Sequence, residues 1–456
     1  RPDEEYLAVR LLARNRENTG DRTYYAGIHS LPPGRRIRFT PGGSEEATFW
    51  DFTLDRPLRL NEPEEYAHLF RDLLDQAVRR RLRCSDPVVV SVSGGLDSST
   101  VFGLATGARR AEPARFPEVV GITYAPPPGT PADEITYIEA LEAHWESRVR
   151  RIPVGEGGPL DGATELVRQV EAPFLDEHAP TMRAFYGAVT ENASRVVLSG
   201  HWADQFLFDT AYLVDLARRL RWGTVARHMR EFPRWFPGSD IHWFRRRYRT
   251  ELAKFLLPGA VVARLRSGRI RTERTWLSPR LVEAARRSRL NQGLRPRTGS
   301  AHARSLYEQV RSGHHGLCLE WDDKAAGVHG LEVAFPFFDR DLIDFILRVP
   351  GEVLHPGGVP KGLLRQAMEG VLPEKIRQRD WKADFTAIVN AGVRSDLPAI
   401  RELLGPGARV REHGFVTSGG LDRWLSGVEA GLGTETHDTA WELLDLTGLE
   451  LWLRDL

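Results

Sequence analysis

The stretch Ser93-Gly94-Gly95-Leu96-Asp97-Ser98-Ser99 carries the clearest chemistry in the chain. Two adjacent glycines let backbone N–H groups approach an anion closely, and the serines add hydroxyl donors. Asp97 stands among them as an oxygen ligand suited to a hard cation such as Mg²⁺. Phosphate is the anion that such a set fits. The spacing is not that of a P-loop, because no Gly-Lys-Ser/Thr follows. A plain glycine-rich turn is the bland alternative, and the carboxylate inside the stretch weighs against it.

The elements around the loop weigh the same way. Pro87 to Val92 is a mostly apolar run with β-branched Val88, Val89 and Val90, which suits a buried parallel strand. Thr100 to Ala108 reads as the helix that follows, and a strand–turn–helix unit offers free N–H groups and a positive helix end to an anion. Further strands are expected at Val119 to Tyr124, Val149 to Ile152 and Arg195 to Leu198, and helices at Asp133 to His144 and Ala163 to Val170. This alternation predicts a parallel sheet flanked by helices, with ligands at the carboxyl ends of its strands. Upstream, short strands are expected at Arg22–Tyr25, Arg35–Thr40 and Phe49–Asp51 around the Leu31-Pro32-Pro33-Gly34 turn. A polar link from Asp55 to Pro63 leads into a helix from Glu64 to Leu82. Beyond Phe206 the chain reads as mainly helical.

The 456 residues are 41% hydrophobic and 27% charged, enough for a large core, with no repeat or low-complexity tract. No apolar run is long enough to span a bilayer and there is no signal-peptide pattern. Cys84 and Cys318 have no metal-site spacing, and a reducing cytoplasm is expected. The chain opens on Arg1 rather than Met, so an upstream segment is also expected. Net charge is +1, but Leu216 to Arg304 holds roughly two dozen basic side chains against about five acidic ones. Trp222, Trp235, Phe236, Trp243 and Phe244 are interleaved there. An acidic peptide, a partner protein or nucleic acid would suit such a surface; solvated helix faces are the bland reading.

Four further groups follow in order: Asp133-Glu134, Ser199-Gly200-His201-Trp202-Ala203-Asp204-Gln205-Phe206, Gly330 to Asp339, and Lys361-Gly362-Leu363-Leu364-Arg365. With the loop at 93–99, which resembles the PP-loop of ATP pyrophosphatases, this ordered set resembles the asparagine synthetase superfamily. That group includes β-lactam and carbapenam synthetases and the lasso-peptide macrolactam cyclases. The resemblance runs from about Thr23 to at least Asp384. It implies an α/β fold, a parallel sheet with flanking helices of the PP-loop ATP pyrophosphatase type, followed by a mainly helical C-terminal part. Residues 1–54 would be the β remnant of a glutaminase-like domain and residues 60–456 the amide-forming domain. The resemblance also implies ATP bound by Ser91, Ser93, Gly94, Gly95, Asp97, Ser98, Ser99, Thr123, Gly200 and Lys361, with Mg²⁺ on Asp97 and Asp204. Lys361 would stabilise the α-phosphate and the acyl oxyanion, and Glu332 would help deprotonate the attacking amine. Lys382 would reach pyrophosphate. A helix cap at Asp204, an ion pair at Glu332 and solvated lysines at 361 and 382 are the bland readings.

The departures narrow the expectation. Where asparagine synthetases usually read Ser-Gly-Asp-Gly-Ala-Asp-Glu, this chain has His201, Trp202 and Gln205, and Ala334 replaces an arginine. Losing a carboxylate and a guanidinium argues against a small charged amino acid as ligand. A histidine at 201 resembles the lasso cyclases. The expected reaction is therefore macrolactam closure of a precursor peptide containing an acidic residue, with a leader-binding or protease partner, and neither membrane nor nucleic acid. Asparagine synthesis and a non-catalytic binding homologue are the alternatives. Neither Cys84 nor Cys318 can be the N-terminal nucleophile of a glutamine-dependent enzyme, and the spacing of Tyr307 does not suit a β-lactam synthetase.

Overall fold

Val88, Val89 and Val90 are each 0% exposed, and their period of two divides them between two cores. Val88 and Val90 pack with Phe70, Leu74 and Phe102 on one face of a sheet, while Val89 packs with Ile122, Ile152 and Val197 on the other. Burial on both faces is what a central strand of a parallel sheet requires.

This computed structural model describes residues 1–12, 20–154, 157–235, 241–258, 261–262, 274–288, 298–433 and 438–456. The described strands are β1 (Arg35–Thr40), β2 (Gly43–Thr48), β3 (Val88–Ser91), β4 (Val119–Ala125), β5 (Val149–Pro153), β6 (Val196–Leu198) and β7 (Glu332–Ala334). The helices used below are α1 (Glu4–Leu12), α2 (Pro63–Arg81), α3 (Leu96–Ala111), α4 (Ile135–Trp145), α5 (Ala163–Val170), α6 (Ala179–Glu191), α7 (Ala203–Leu207), α8 (Tyr212–Arg218), α9 (Trp222–Trp235) and α10 (Ile241–Leu256).

The sheet has the order β5-β4-β3-β6-β7 and every pairing in it is parallel. From β3 the chain builds outward to β4 and β5, then crosses to β6 on the opposite side. That reversal opens a crevice at the carboxyl ends of β3 and β6. Helices α2 and α3 cover one face, α5 and α6 the other. Helices α8, α9 and α10 form an annex with its own core, in which Phe232 stacks on Phe244 at 4.0 Å.

Several elements differ from the expectation. Helix α3 starts at Leu96 rather than Thr100, because extended Gly95 serves as its N-cap, so Asp97, Ser98 and Ser99 lie in its first turn. Strand β7 lies in a region expected to be helical; its three residues are held by β6. Arg22–Tyr25 and Phe49–Asp51 are not strands. Arg22 makes only an isolated bridge with His29, and the partner of β1 is the polar β2, in a two-stranded hairpin. Helix α1 buries Tyr6, Leu7, Ala8, Val9 and Leu11 in a core with Trp276, Leu443 and Trp452, so residues 1–12 are packed with the C-terminal helices. Phe236 and the arginines between 264 and 271 lie outside the described residues.

Candidate active site

Ser93 closes the loop upon itself. Its N–H donates to Ser98 Oγ at 2.8 Å, its own Oγ accepts from Gly95 N at 3.2 Å, and its carbonyl accepts from Ser99 Oγ at 3.0 Å. The serines therefore build the turn that joins β3 to the start of α3, where a helix N-terminus offers unpaired N–H groups. Gly94 has no room for a side chain: a Cβ there would sit 2.6 Å from Tyr137 Cβ at the start of α4. Ser91 ends β3, and buried Thr123 lies beside it near the end of β4.

The segment from β6 to α7 lies directly on the loop. A Cβ on Gly200 would come within 2.5 Å of Ser98 N and 2.6 Å of Ser98 Cα, so only glycine allows this approach of two backbones. Two residues on, Trp202 adopts φ +79°, a left-handed conformation that costs a non-glycine residue about 1–2 kcal/mol. Its ring is buried against His315, Phe335 and Phe338, and truncating such a ring costs roughly 3–5 kcal/mol, so packing wins over backbone strain. His201 is exposed, with its ring within 9° of parallel to Phe335. Crowding on its other sides lowers its pKa below the ordinary histidine value, against the pull of Asp204.

Two lysines and two carboxylates meet here. Lys361 Nζ lies 2.5 Å from Asp97 Oδ2 and 2.6 Å from Asp204 Oδ1, and Lys382 Nζ holds Asp204 Oδ2. Lys361 is itself left-handed, φ +53°, as the N-cap of the short helix Gly362–Ala367, and is 8% exposed. Burial alone would lower its pKa, but Asp97 and Asp204 outweigh burial and raise it. Burial pushes Asp97 up and Lys361 opposes that, whereas the two lysines overcome burial at Asp204 and lower it. Asp97 Oδ1 is buried with no hydrogen-bonding partner. An uncommitted carboxylate oxygen next to Asp204 suits a hard divalent cation that takes one or two protein carboxylates.

A second pair braces the far wall. Arg379 bonds Glu134 at 2.5 Å and lies between the rings of Tyr137, at 4.4 Å, and Trp381, at 3.9 Å. Trp381 Nε1 donates to Tyr137 Oη at 2.8 Å. These contacts tie the irregular run before Lys382 to α4, whose first turn abuts Gly94.

The structure thus gathers Ser93, Gly94, Gly95, Asp97, Ser98, Ser99, Gly200, Asp204, Lys361 and Lys382, with Ser91 and Thr123 on the adjoining strand ends. It does not bring in Glu332. That residue opens β7 in register with Val196 and hence with Val88, five residues before Ser93, which puts it roughly 15 Å down the sheet. Its side chain is exposed there. Arg379 and Trp381 were not singled out from sequence; the only signal was the position of Arg379 three residues before Lys382. Tyr307 is drawn away by Asp51, to which it donates at 2.7 Å.

Comparison with known proteins bears on this arrangement. The sequence model of the asparagine synthase family matches residues 69–454, which takes in the sheet, both carboxylates and both lysines. The chain belongs to the asparagine synthase family. It is 22% identical over 367 residues to the glutamine-hydrolyzing asparagine synthetase 3 of Bacillus subtilis, covering 78% of this chain and 54% of that protein. It is 34% identical over 222 residues to the amidase chyE of Penicillium rubens, covering 46% of this chain and 33% of that one. The chain thus spans about half the length of the first relative and a third of the second. The matched residues span the whole parallel sheet and the helices that flank it. No described helix is long and apolar enough to cross a membrane.

Proposed function

We propose that the protein forms amide bonds by adenylating a carboxylate with ATP, releasing AMP and pyrophosphate as an amine takes the acyl group. The observation that carries this reading is the meeting of Asp97, Asp204, Lys361 and Lys382 beside the 93–99 loop at the sheet's switch point. Asp97 and Asp204 would hold Mg²⁺, which when bound supplies charge neutralisation for the departing pyrophosphate.

The rest falls to the chain's own groups. Loop amides bind the phosphates. Lys361 and Lys382, now paired with carboxylates, turn toward the anionic nucleotide once it enters. The substrate carboxylate bonds to the α-phosphorus as the bond to the β-phosphate oxygen breaks. The amine nitrogen then bonds to the acyl carbon, AMP leaves with the former carboxylate oxygen, and the nitrogen gives up a proton. Lys361 stabilises the oxyanion of this second step. His201 takes the proton: its ring is exposed beside Asp204, and its pKa is held below the ordinary histidine value.

We infer further that the carboxylate is an Asp or Glu side chain of a precursor peptide and the amine is that peptide's own N terminus, so that a macrolactam closes. His201 and Ala334, which replace a carboxylate and a guanidinium, favour a substrate without free amino-acid charges. Holding both ends in one cleft makes the attack intramolecular. Exposed Arg227, Arg230, Arg245, Arg246 and Arg249 on α9 and α10 would draw an acidic peptide, or the leader-binding or protease partner that delivers it, in the cytoplasm. The name of the Bacillus subtilis relative supports a second reading, asparagine formation. Measuring AMP and pyrophosphate release with ATP and Mg²⁺ separates them. Dependence on aspartate plus ammonium selects asparagine synthesis, dependence on an acidic peptide selects cyclisation, and no turnover with either leaves a non-catalytic homologue.

A further inference from the structure

Arg365 stands at the edge of this cluster and joins neither of its carboxylates. Its donors go to backbone instead. Nε donates to Pro360 O at 3.1 Å, Nη1 to Arg377 O at 2.5 Å and Nη2 to Arg379 O at 2.8 Å. The first carbonyl is one residue before Lys361, and the last is three residues before Lys382. The guanidinium lies 4.4 Å over the ring of Trp235, at the end of α9, so its plane is fixed as well as its donors. Burial lowers its pKa, yet only to about 10, and it remains a cation at pH 7.

The two segments that Arg365 links have no continuous secondary structure between them. Lys361 sits on a left-handed N-cap, and Lys382 lies in a run without helix or strand. A rigid fork with donors on three nitrogens is what such a link needs, and a single ammonium cannot reproduce it. We propose that Arg365 is a positioning residue that sets the separation of Lys361 and Lys382 and thereby the site's grip on pyrophosphate. This rests on the adenylation reading, in which both lysines face the nucleotide phosphates.

The test is calorimetric titration of the full chain with inorganic pyrophosphate and Mg²⁺, run beside thermal melting. Arg365→Lys keeps the charge and loses the fork. Its pyrophosphate affinity is expected to fall about tenfold, as displaced binding groups do, with no matching fall in melting temperature. In the double variant with Lys382→Ala, the loss should be smaller than the product of the two single losses, because one residue acts through the other. Wild-type affinity in Arg365→Lys overturns the inference, as does a lowered melting temperature at unchanged affinity, or losses that multiply. If Arg365→Lys does not fold, Trp235→Leu carries the test, since it frees the guanidinium plane and leaves the donors. A severalfold weaker grip supports the inference and an unchanged one overturns it. A wild-type chain that binds neither ATP nor pyrophosphate overturns the adenylation reading itself, which is a distinct outcome from binding that ignores residue 365.

Discussion

Asp97 divides its two oxygens between different tasks: Oδ2 holds Lys361 at 2.5 Å, and Oδ1 is buried without a hydrogen bond. Asparagine at 97 keeps the volume and removes the charge, so the carboxylate's cation-binding role can be tested with little change in packing. We expect Asp97→Asn to lower AMP release at least about 100-fold while the protein still melts cooperatively. Unchanged release would remove this residue from the site. His201 offers a second test, through pH. Its pKa lies below 6.5, so the neutral ring that accepts a proton is lost only as pH falls through that lowered value. Wild-type kcat/KM should decline on that acid limb, and His201→Gln should be slower with the limb gone. A limb that persists in the variant assigns the proton to another group.

At the scale of elements, the site depends on how closely two turns approach. The β6–α7 segment lies on the first turn of α3 with backbone against backbone, and Gly200→Ala would force them apart. Overpacking of that kind costs about 1–3 kcal/mol, and here it also moves Asp204 away from Lys361. A chemical denaturation midpoint that falls together with nucleotide affinity is expected; a stable, fully active variant would show that the turns separate freely. Much of this layer is legible in the amino-acid order, because Val88 to Val90 and the glycine turn combine local propensity with a period. Strand β7 is not. Glu332-Val333-Ala334 has neither length nor alternation, and only its pairing to β6 makes it a strand. The polar β2 is hidden for the same reason, since Arg38↔Glu45 and Ile37↔Glu46 pairing is a property of two segments rather than of either. The bond between Glu134 and Arg379 joins residues 245 apart, and nothing in a chain with 62 acidic and 63 basic side chains marks that pair out.

Across the whole molecule, buried charge is spread well beyond the cleft, at Asp3, Asp209, Asp339 and Glu450, and one further carboxyl carries its own signature. Asp322, in the helix Gly313–Gly327, has its pKa raised from 3.8 to about 7, first by burial and then by Asp176. Between those values the unfolded chain has lost the proton that the folded chain keeps. Stability from this group is therefore fully present below 3.8, declines as pH rises, and is gone above about 7. Asp322→Asn should flatten that slope and be the more stable form at neutral pH, as urea titrations on either side of the window would record. An unchanged slope would mean that the carboxyl is ionised in the folded protein. Such a term is invisible in sequence, where Asp322 is one of two adjacent aspartates on a helix.

Tyr25 accepts a hydrogen bond from Trp452 Nε1 at 3.0 Å, across a separation of 427 residues. A ribosome adding about 5–20 residues per second places those two rings on the same chain on the order of half a minute apart. Helix α1 is therefore made well ahead of its partners, and its five buried apolar side chains share a core with Trp276, Leu281 and Val282 as well as with Leu443 and Trp452. During that interval the parallel sheet can assemble from consecutive units, whereas the packing of α1 on Leu443 and Trp452 is a late, non-local step. Synthesis speed and chaperone capture of the nascent chain thus bear on the yield of this protein more than on that of a fold whose helices pack on their neighbours in sequence.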